Sequence, residues 1–417
     1  MNKPVLIIGA GVAGLSAAIA LRQSGHDCIV VEASGRIGGR AHTTKFGHHG
    51  FDRGASWLHA AERNPLVPIA RAAGLRLIDA DHVRTRRVMV DGRIATEAEL
   101  DQRQAAIARL DAVAGAETSD IAFATAIDSL RADPWTASIE AWEACQIAAA
   151  DPRDFSVIDW RVNELDGANL SIVGGIGHFV EAILGPMAGA VRLNTRVEAI
   201  DWSDGIVAQT GTGEIVASAC IITVATHAAG GMRFIPGLPG SHMHALHNLP
   251  MGLLTKVALR ATGADRLGLR PEESVTARIE RDAPMMSLLA WPGGVDHVVA
   301  FVGGPPAWAL ARAGQDATIG FVRRRLRDWF GERADAALGE AILTDWHDNE
   351  LFGGAYAYAR AGHADARGIL AEPFADGRMV FAGEATAADG LAGTVGGAWN
   401  EGLRAAAIVG AAVSRPA

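Results

Sequence analysis

Pro4-Val5-Leu6-Ile7-Ile8-Gly9-Ala10-Gly11-Val12-Ala13-Gly14 is the stretch on which the fold of this 417-residue chain turns. Residues 4–8 form a short apolar run, as expected of a strand buried on both faces. Three glycines follow, and then helical spacing from about 13 to 23. A second apolar run, Cys28-Ile29-Val30-Val31, ends on Glu32. Strand, glycine turn, helix and strand make the βαβ opening of a dinucleotide site. Gly9 permits the tight turn, Gly11 lets backbone approach a pyrophosphate, and Gly14 lets helix and strand pack closely. The anion would sit on the helix N-terminus, where unpaired N–H groups and the dipole favour it. Glu32, 18 residues past Gly14, can accept hydrogen bonds from an adenosine ribose. The plainer alternative is a generic βα turn with a surface glutamate.

Composition narrows the class. Hydrophobic residues make up 49% and charged residues 20%, so a large core is available and disorder is not expected. With 38 basic and 47 acidic side chains the net charge is −9, without a basic footprint for nucleic acid. Such a surface weakly attracts cationic ligands. Cys28, Cys145 and Cys220 are far apart and form no CxxC, which points to a reducing, cytoplasmic setting. The opening Met-Asn-Lys-Pro has no basic n-region, and no apolar run reaches about 18 residues, so neither secretion nor a membrane span is expected. Lysine occurs only at Lys3, Lys45 and Lys256, and tyrosine only at Tyr356 and Tyr358. In so arginine-rich a chain, a lysine or tyrosine is more suggestive than usual.

Further along, 97–114, 120–131 and 138–150 are alanine-rich with helical spacing. A glycine turn (Gly174, Gly175, Gly177) leads into another helix at 178–188. Short β-branched runs follow at 191–193, 197–202, 205–209, 215–216 and 220–224. Residues 236–240 read as a linker. Strands are expected at 255–260, 285–291, 298–302 and 378–382, and helices at 316–330 and from about Gly397. Nucleotide-binding texture thus lies at both ends and in the middle. The simplest arrangement is an α/β domain built from 1–75, 190–245 and 355–417. The insertions 76–189 and 246–354 would build a second domain over the cofactor.

The continuation Glu32-Ala33-Ser34-Gly35-Arg36-Ile37-Gly38-Gly39-Arg40 sets bare backbone and the Arg40 guanidinium beside the pyrophosphate. Here the sequence resembles the flavin-containing amine oxidase family, which includes monoamine oxidases, polyamine oxidases and lysine demethylases. The resemblance recurs in order at Phe51-Asp52-Arg53-Gly54-Ala55-Ser56-Trp57, Val173-Gly174-Gly175-Ile176-Gly177, Leu193-Asn194-Thr195-Arg196-Val197, Phe381-Ala382-Gly383-Glu384-Ala385-Thr386 and Gly393-Thr394-Val395-Gly396-Gly397-Ala398. It implies FAD rather than NAD. It also implies a Rossmann-like, glutathione-reductase-type FAD domain in three segments with an inserted α+β substrate domain. By the same resemblance Gly54, Ala55, Ser56 and Trp57 form a flavin motif, and Val197 touches the adenine. Gly383 and Glu384 close the site, Glu384 holding the ribityl chain, and Val395 lies near the pyrimidine end of the ring.

The family's chemistry moves a hydride equivalent from the carbon beside an amine nitrogen to flavin N5. It gives an imine, then an aldehyde, with hydrogen peroxide formed from oxygen. Lys256 resembles the lysine that holds a water against N5; a buried lysine can lose its charge, which arginine does not. Tyr356, ten residues after Trp346, resembles the aromatic wall facing the flavin. Tyr358 would share its face if the segment is a strand. Ala355 stands where monoamine oxidases carry the cysteine bonded to flavin, which implies non-covalent FAD. Thr394 stands where they carry a second cage tyrosine. Tyr356 with Thr394 is more similar to polyamine oxidases and lysine demethylases, and the run Gly54-Ala55-Ser56-Trp57-Leu58-His59 is similar to animal polyamine oxidases, where a histidine in the place of His59 binds an amine nitrogen. Against these roles stand a snorkelling lysine, ordinary tyrosine packing and a satisfied surface histidine.

Other readings are a carotenoid- or porphyrinogen-type flavin desaturase, an L-amino-acid oxidase, and FAD as a structural or sensor ligand. Lys256 and Tyr356 count against the first. The second lacks an arginine after its glycine motif at 55–59. His242, His244 and His247 are read as a solvated turn rather than a metal cluster, and Arg84, Arg86 and Arg87 as a solvated face. Most of the ten tryptophans are expected in the core. No G-x-S-x-G occurs. The partners implied are a small amine and molecular oxygen; oligomeric state is not legible.

Overall fold

The computed structural model describes residues 3–79, 85–163 and 165–414. One half of it is built on a five-stranded, all-parallel sheet. The strand order is Met379–Phe381, Ala219–Ile222, Val5–Ile8, Cys28–Val31, Val191–Arg192. Three separated stretches of chain therefore supply one sheet.

Side-chain alternation explains why these strands are uniformly apolar. Val5, Ile7, Val30, Ala219, Ile221 and Val380 enter one core, under the helices Val12–Gln23 and Val395–Val413. Leu6, Ile8, Val31, Cys220, Ile222, Met379 and Phe381 enter another on the opposite face. A strand covered on both sides has no solvent face to mark with polar residues. The two helices touch closely enough for Ser16 Oγ to donate to the Trp399 carbonyl at 2.9 Å. Gly402 permits this, since a Cβ there would overlap Ser16 Oγ and the Ala13 carbonyl.

The other half is a seven-stranded sheet centred on Leu254–Ala261 and His297–Gly303, with Arg86–Val90 added on its far side. Period-two alternation again sorts side chains. Val257 and Leu259 enter a core with Leu288, Val298 and Ala300. Ala258 packs instead with Phe46, Phe51 and Phe301. Lys256 is two residues from Ala258, so it shares that second face and points at the hairpin Thr43–Phe46/His49–Asp52.

The helical stretches differ from expectation in instructive ways. Glu97–Ala116 begins with a capping box between Thr96 and Glu99. The stretch 120–131 is not one helix but the short turns Phe123–Ala126 and Asp128–Leu130. Thr136–Glu140 runs directly into a π-helix, Ala141–Ile147. The helix after the glycine turn starts at Ile176 and also widens into a π-turn, Val180–Leu184. Tyr358 lies in no strand: the segment around it is extended but paired only through isolated bridges.

Two minor readings need correction. The histidines at 242, 244 and 247 sit on the helix Gly240–His247 rather than in a solvated turn. His242 is buried against Phe374 and Phe381, with Nε2 2.9 Å from the Glu372 carbonyl, and no metal-binding group occurs among the described residues. Arg87 is only partly solvated and pairs with buried Glu273 at 2.8 Å; Arg86 is exposed, and Arg84 lies outside the described residues. No described helix is long and apolar enough to cross a membrane.

Candidate active site

The two halves enclose one cavity of about 980 Å³. Gly9, Gly11, Glu32, Arg40, Gly54, Ala55, Ser56, Trp57, His59, Val197, Lys256, Trp346, Tyr356, Gly383, Glu384, Thr394 and Val395 all line it. Gly14 does not. It packs beneath the turn, where a Cβ would overlap the Gly9 carbonyl.

One end has the makings of an anion and ribose site. Gly9 has φ +106°, and a Cβ there would crowd Thr223 Oγ1. Gly11 begins the helix with no side-chain cap and no acid in the first turn, and space beside it is open. The helix N–H groups therefore face the cavity without a protein anion. Gly38 donates its N–H to the Ala10 carbonyl at 2.8 Å, laying the Gly38–Gly39 backbone alongside. Glu32 is buried and accepts from Ala10 N and Ser34 N, both at 2.8 Å. A carboxylate has lone pairs beyond those two bonds, enough for ribose hydroxyls. Arg40 pairs with Glu384 at 2.7 Å and donates to the Ala355 carbonyl at 2.8 Å. This donor and acceptor set fits a dinucleotide such as FAD: amides and a guanidinium for diphosphate, carboxylates for hydroxyls.

Lys256 stands in the wall between the two sheets and is 5% exposed. Its Nζ donates to the Asp52 carbonyl at 3.1 Å, to Ser56 Oγ at 2.6 Å and to the Gly54 carbonyl. The Trp57 and Phe301 rings lie 5.9 and 5.8 Å away. Burial pushes its pKa down to about 8, against an upward pull from Asp52. The Asp52 carboxyl is itself pushed up by burial, though Thr43, Lys256 and two backbone N–H groups oppose this. The ammonium's three N–H bonds all meet protein acceptors, which favours the charged form, while burial works against it.

Tyr356 donates its phenol hydrogen to the Ile147 carbonyl at 2.7 Å, at the end of the π-helix, and its ring edge faces Gly393. Burial, with the Glu384 charge second, raises its pKa, so the phenol stays neutral. Trp346 donates Nε1 to the Arg53 carbonyl at 3.1 Å and meets Phe352 edge-on. Thr394 departs from a simple wall residue. Its hydroxyl accepts from Gly397 N and donates to the Leu391 carbonyl, so it caps the last helix. His59 Nδ1 lies 2.5 Å from Asn169 Oδ1, which makes Nδ1 the donor. Tyr358 also lines the cavity, with its hydroxyl bonded to Asp154 at 2.9 Å.

Several cavity residues belong to no sequence motif: Thr223, Trp142, Glu143, Gln146, Asp159, Trp160, Asn169 and Arg367. Four of the ten tryptophans, Trp57, Trp142, Trp160 and Trp346, line the cavity. The alanine richness of 138–150 hid the π-turn that aims Trp142, Glu143 and Gln146 at it.

A family model described as flavin containing amine oxidoreductase matches residues 12–111 and 123–410. The chain is 27% identical over 448 residues to lysine-specific histone demethylase 1 homolog 1 of Arabidopsis thaliana, covering 97% of this chain and 52% of that protein. It is 28% identical over 423 residues to probable polyamine oxidase 4 of Arabidopsis thaliana, covering 92% and 82%. The chain thus spans about half the length of the histone demethylase relatives it matches. Among solved structures, putrescine oxidase bound to putrescine superposes with a TM-score of 0.80 at 20% identity, covering 99% of each chain.

Proposed function

This chain belongs to the flavin containing amine oxidoreductase family, and we propose that it is an FAD-dependent amine oxidase acting on polyamine-like substrates. One observation carries the reading. A single cavity joins a glycine turn and a ribose-type carboxylate at one end to buried Lys256 and Tyr356 in its walls. When bound, the flavin would accept the hydride equivalent from the carbon beside the amine nitrogen and pass electrons to oxygen, giving imine and hydrogen peroxide. The chain's part is to bind, orient and keep dry. Tyr356 presents a neutral ring fixed by its bond to Ile147, and such a π-face excludes water and aligns the amine. Lys256 holds the loop Asp52–Ser56 by three hydrogen bonds, with its pKa lowered by burial to about 8. Arg40 and Glu384 hold the backbone on either side of Tyr356. A cytoplasmic setting remains part of this proposal, resting on the three free cysteines.

The test is anaerobic flavin bleaching across an amine panel. Spermidine or its acetyl derivatives should bleach faster than benzylamine or phenethylamine. The reverse order would remove the polyamine assignment, and no bleaching by any amine would remove the oxidase. With polyamine substrates kcat/KM should rise on the alkaline side of neutrality, because only the neutral amine has the lone pair that assists hydride loss. A flat profile from about pH 6 to 10 contradicts amine oxidation.

Two further outcomes are expected. Alanine at 355 offers no atom for a covalent bond, so denaturation should release all the flavin into solution; flavin precipitating with the chain would contradict this. His59 lines the cavity with Nδ1 2.5 Å from Asn169 Oδ1, and we read it as a contact for a distal amine nitrogen. His59→Ala should cost a polyamine about 0.5–1.5 kcal/mol of binding, read in KM, and leave a short monoamine almost untouched. Equal effects on both would reduce His59 to packing.

A further inference from the structure

The segment 355–359, which carries Tyr356, behaves as a strand with a backbone neighbour along one edge. On that edge Ala355 N donates to Gly252 O at 2.7 Å, Gly252 N to Tyr356 O at 2.8 Å, and Tyr358 N to Pro250 O at 3.2 Å. On the other edge, from the Ala355 carbonyl to the Ala359 N–H, the partners are charged side chains. Arg40 donates to Ala355 O at 2.8 Å. The Glu384 carboxylate accepts from Ala357 N at 3.2 and 3.3 Å. Arg367 Nη2 donates to Ala357 O at 3.0 Å, and Asp159 Oδ2 accepts from Ala359 N at 2.9 Å. All four line the cavity.

Arg367 and Asp159 form a pair with both side chains about 95% or more buried and in forked contact. Nε meets Oδ1 at 2.7 Å and Nη2 meets Oδ2 at 2.9 Å. Asn163 Nδ2 adds a bond to Oδ1 at 2.8 Å, and Arg367 Nη1 donates to the Ala385 carbonyl at 3.2 Å. Each Asp159 oxygen thus accepts two bonds, which completes its capacity. Burial opposes the Arg367 charge, but Asp159 and Glu384 together raise its pKa. A buried ion pair often adds little net stability over a well-packed apolar pair. What this one supplies is donors and acceptors at the spacing of a strand edge, without a strand to fill the cavity.

We infer that Arg367 and Asp159 are positioning residues: they stand in for a missing strand and fix the Tyr356 segment against the cofactor cavity. The placement is independent of the amine oxidase reading; its consequence for turnover rests on it.

The chain's only two tyrosines, Tyr356 and Tyr358, both lie in this segment. Protein labelled with 3-fluorotyrosine and loaded with flavin therefore reports on it through two fluorine resonances. Arg367→Lys keeps the charge but cannot make the fork. It should shift or broaden both resonances and alter the bound flavin's visible spectrum, with the far-UV spectrum unchanged. With an amine substrate kcat should fall roughly 10-fold or more while KM stays within about two-fold, as expected of misplacement rather than lost binding. Arg327→Lys, which disturbs the Arg327–Asp335 pair between the helices Gln315–Phe330 and Arg333–Ala337, should move neither resonance. Unchanged resonances and flavin spectrum in Arg367→Lys would overturn the inference, and so would equal shifts in Arg327→Lys. If Arg367→Lys does not accumulate, Asp159→Asn is judged by the same criteria. A wild-type protein whose flavin no amine reduces would end the oxidase reading, yet leave the fluorine result to decide this one.

Discussion

Lys256→Met should retain flavin while slowing flavin reduction, reoxidation or both by roughly 100-fold or more, the scale of a lost proton-handling group. Methionine fills similar space but offers no N–H. The Asp52 and Gly54 carbonyls and Ser56 Oγ then lose their partner, at a cost of about 1–3 kcal/mol for each acceptor left dry. Stopped-flow measurement of the two half-reactions reads the first effect, and wild-type rates in both would return Lys256 to a structural role. A pH titration of stability reads the second. Native Lys256 has a pKa lowered to about 8 from 10.5. Below about pH 8 both folded and unfolded chains carry the proton, and the cost of burying the charge is fully present. Between about pH 8 and 10.5 the folded chain sheds a proton that the unfolded chain keeps, so this group's contribution becomes more favourable as pH rises. The wild-type Tm should therefore gain on that of Lys256→Met across this window; parallel curves would mean that the lysine is not perturbed.

Glu32→Ala should weaken flavin binding by roughly 10- to 100-fold. Hydrogen bonds to a charged group are worth about 1.5–3 kcal/mol each, and about 1.4 kcal/mol is a factor of ten. The residue also organises the protein. Its two oxygens tie Ala10 N in the glycine turn to Ser34 N after the second strand. Alanine removes both bonds along with those to a ribose, so the turn loosens as the ligand contact goes. Glu32→Gln keeps an acceptor and should lie between wild type and alanine. Equilibrium dialysis of reconstituted protein measures the ratio, and unchanged occupancy in Glu32→Ala would show that the carboxylate serves only the turn.

Which parts of this molecule could be read in advance follows from the range of the forces involved. The buried strands were legible because strands covered on both faces must be apolar at every position, as at 5–8 and 28–31, and at 220–224, where the strand runs over Ala219–Ile222. The glycine turn was legible because Gly9 needs a backbone conformation that side chains rarely adopt. Lys256 stood out because lysine is scarce, and the family resemblance gave that position a role. What these groups touch was settled by packing between distant segments. Lys256 reaches the Asp52 and Gly54 carbonyls and Ser56 because two sheets face each other there. Thr394 could be placed at the cavity from its motif, but its hydroxyl is drawn into capping a helix. The π-turn at Ala141–Ile147 was hidden because alanine-rich sequence is equally compatible with an α-helix. Arg367 and Asp159 were invisible because they are 208 residues apart. Apart from each other and Asn163, their partners are backbone groups, which every residue carries and which leave no period or motif in a sequence. Pairing of this kind is settled only when the chain closes and a buried charge must find its counter-charge.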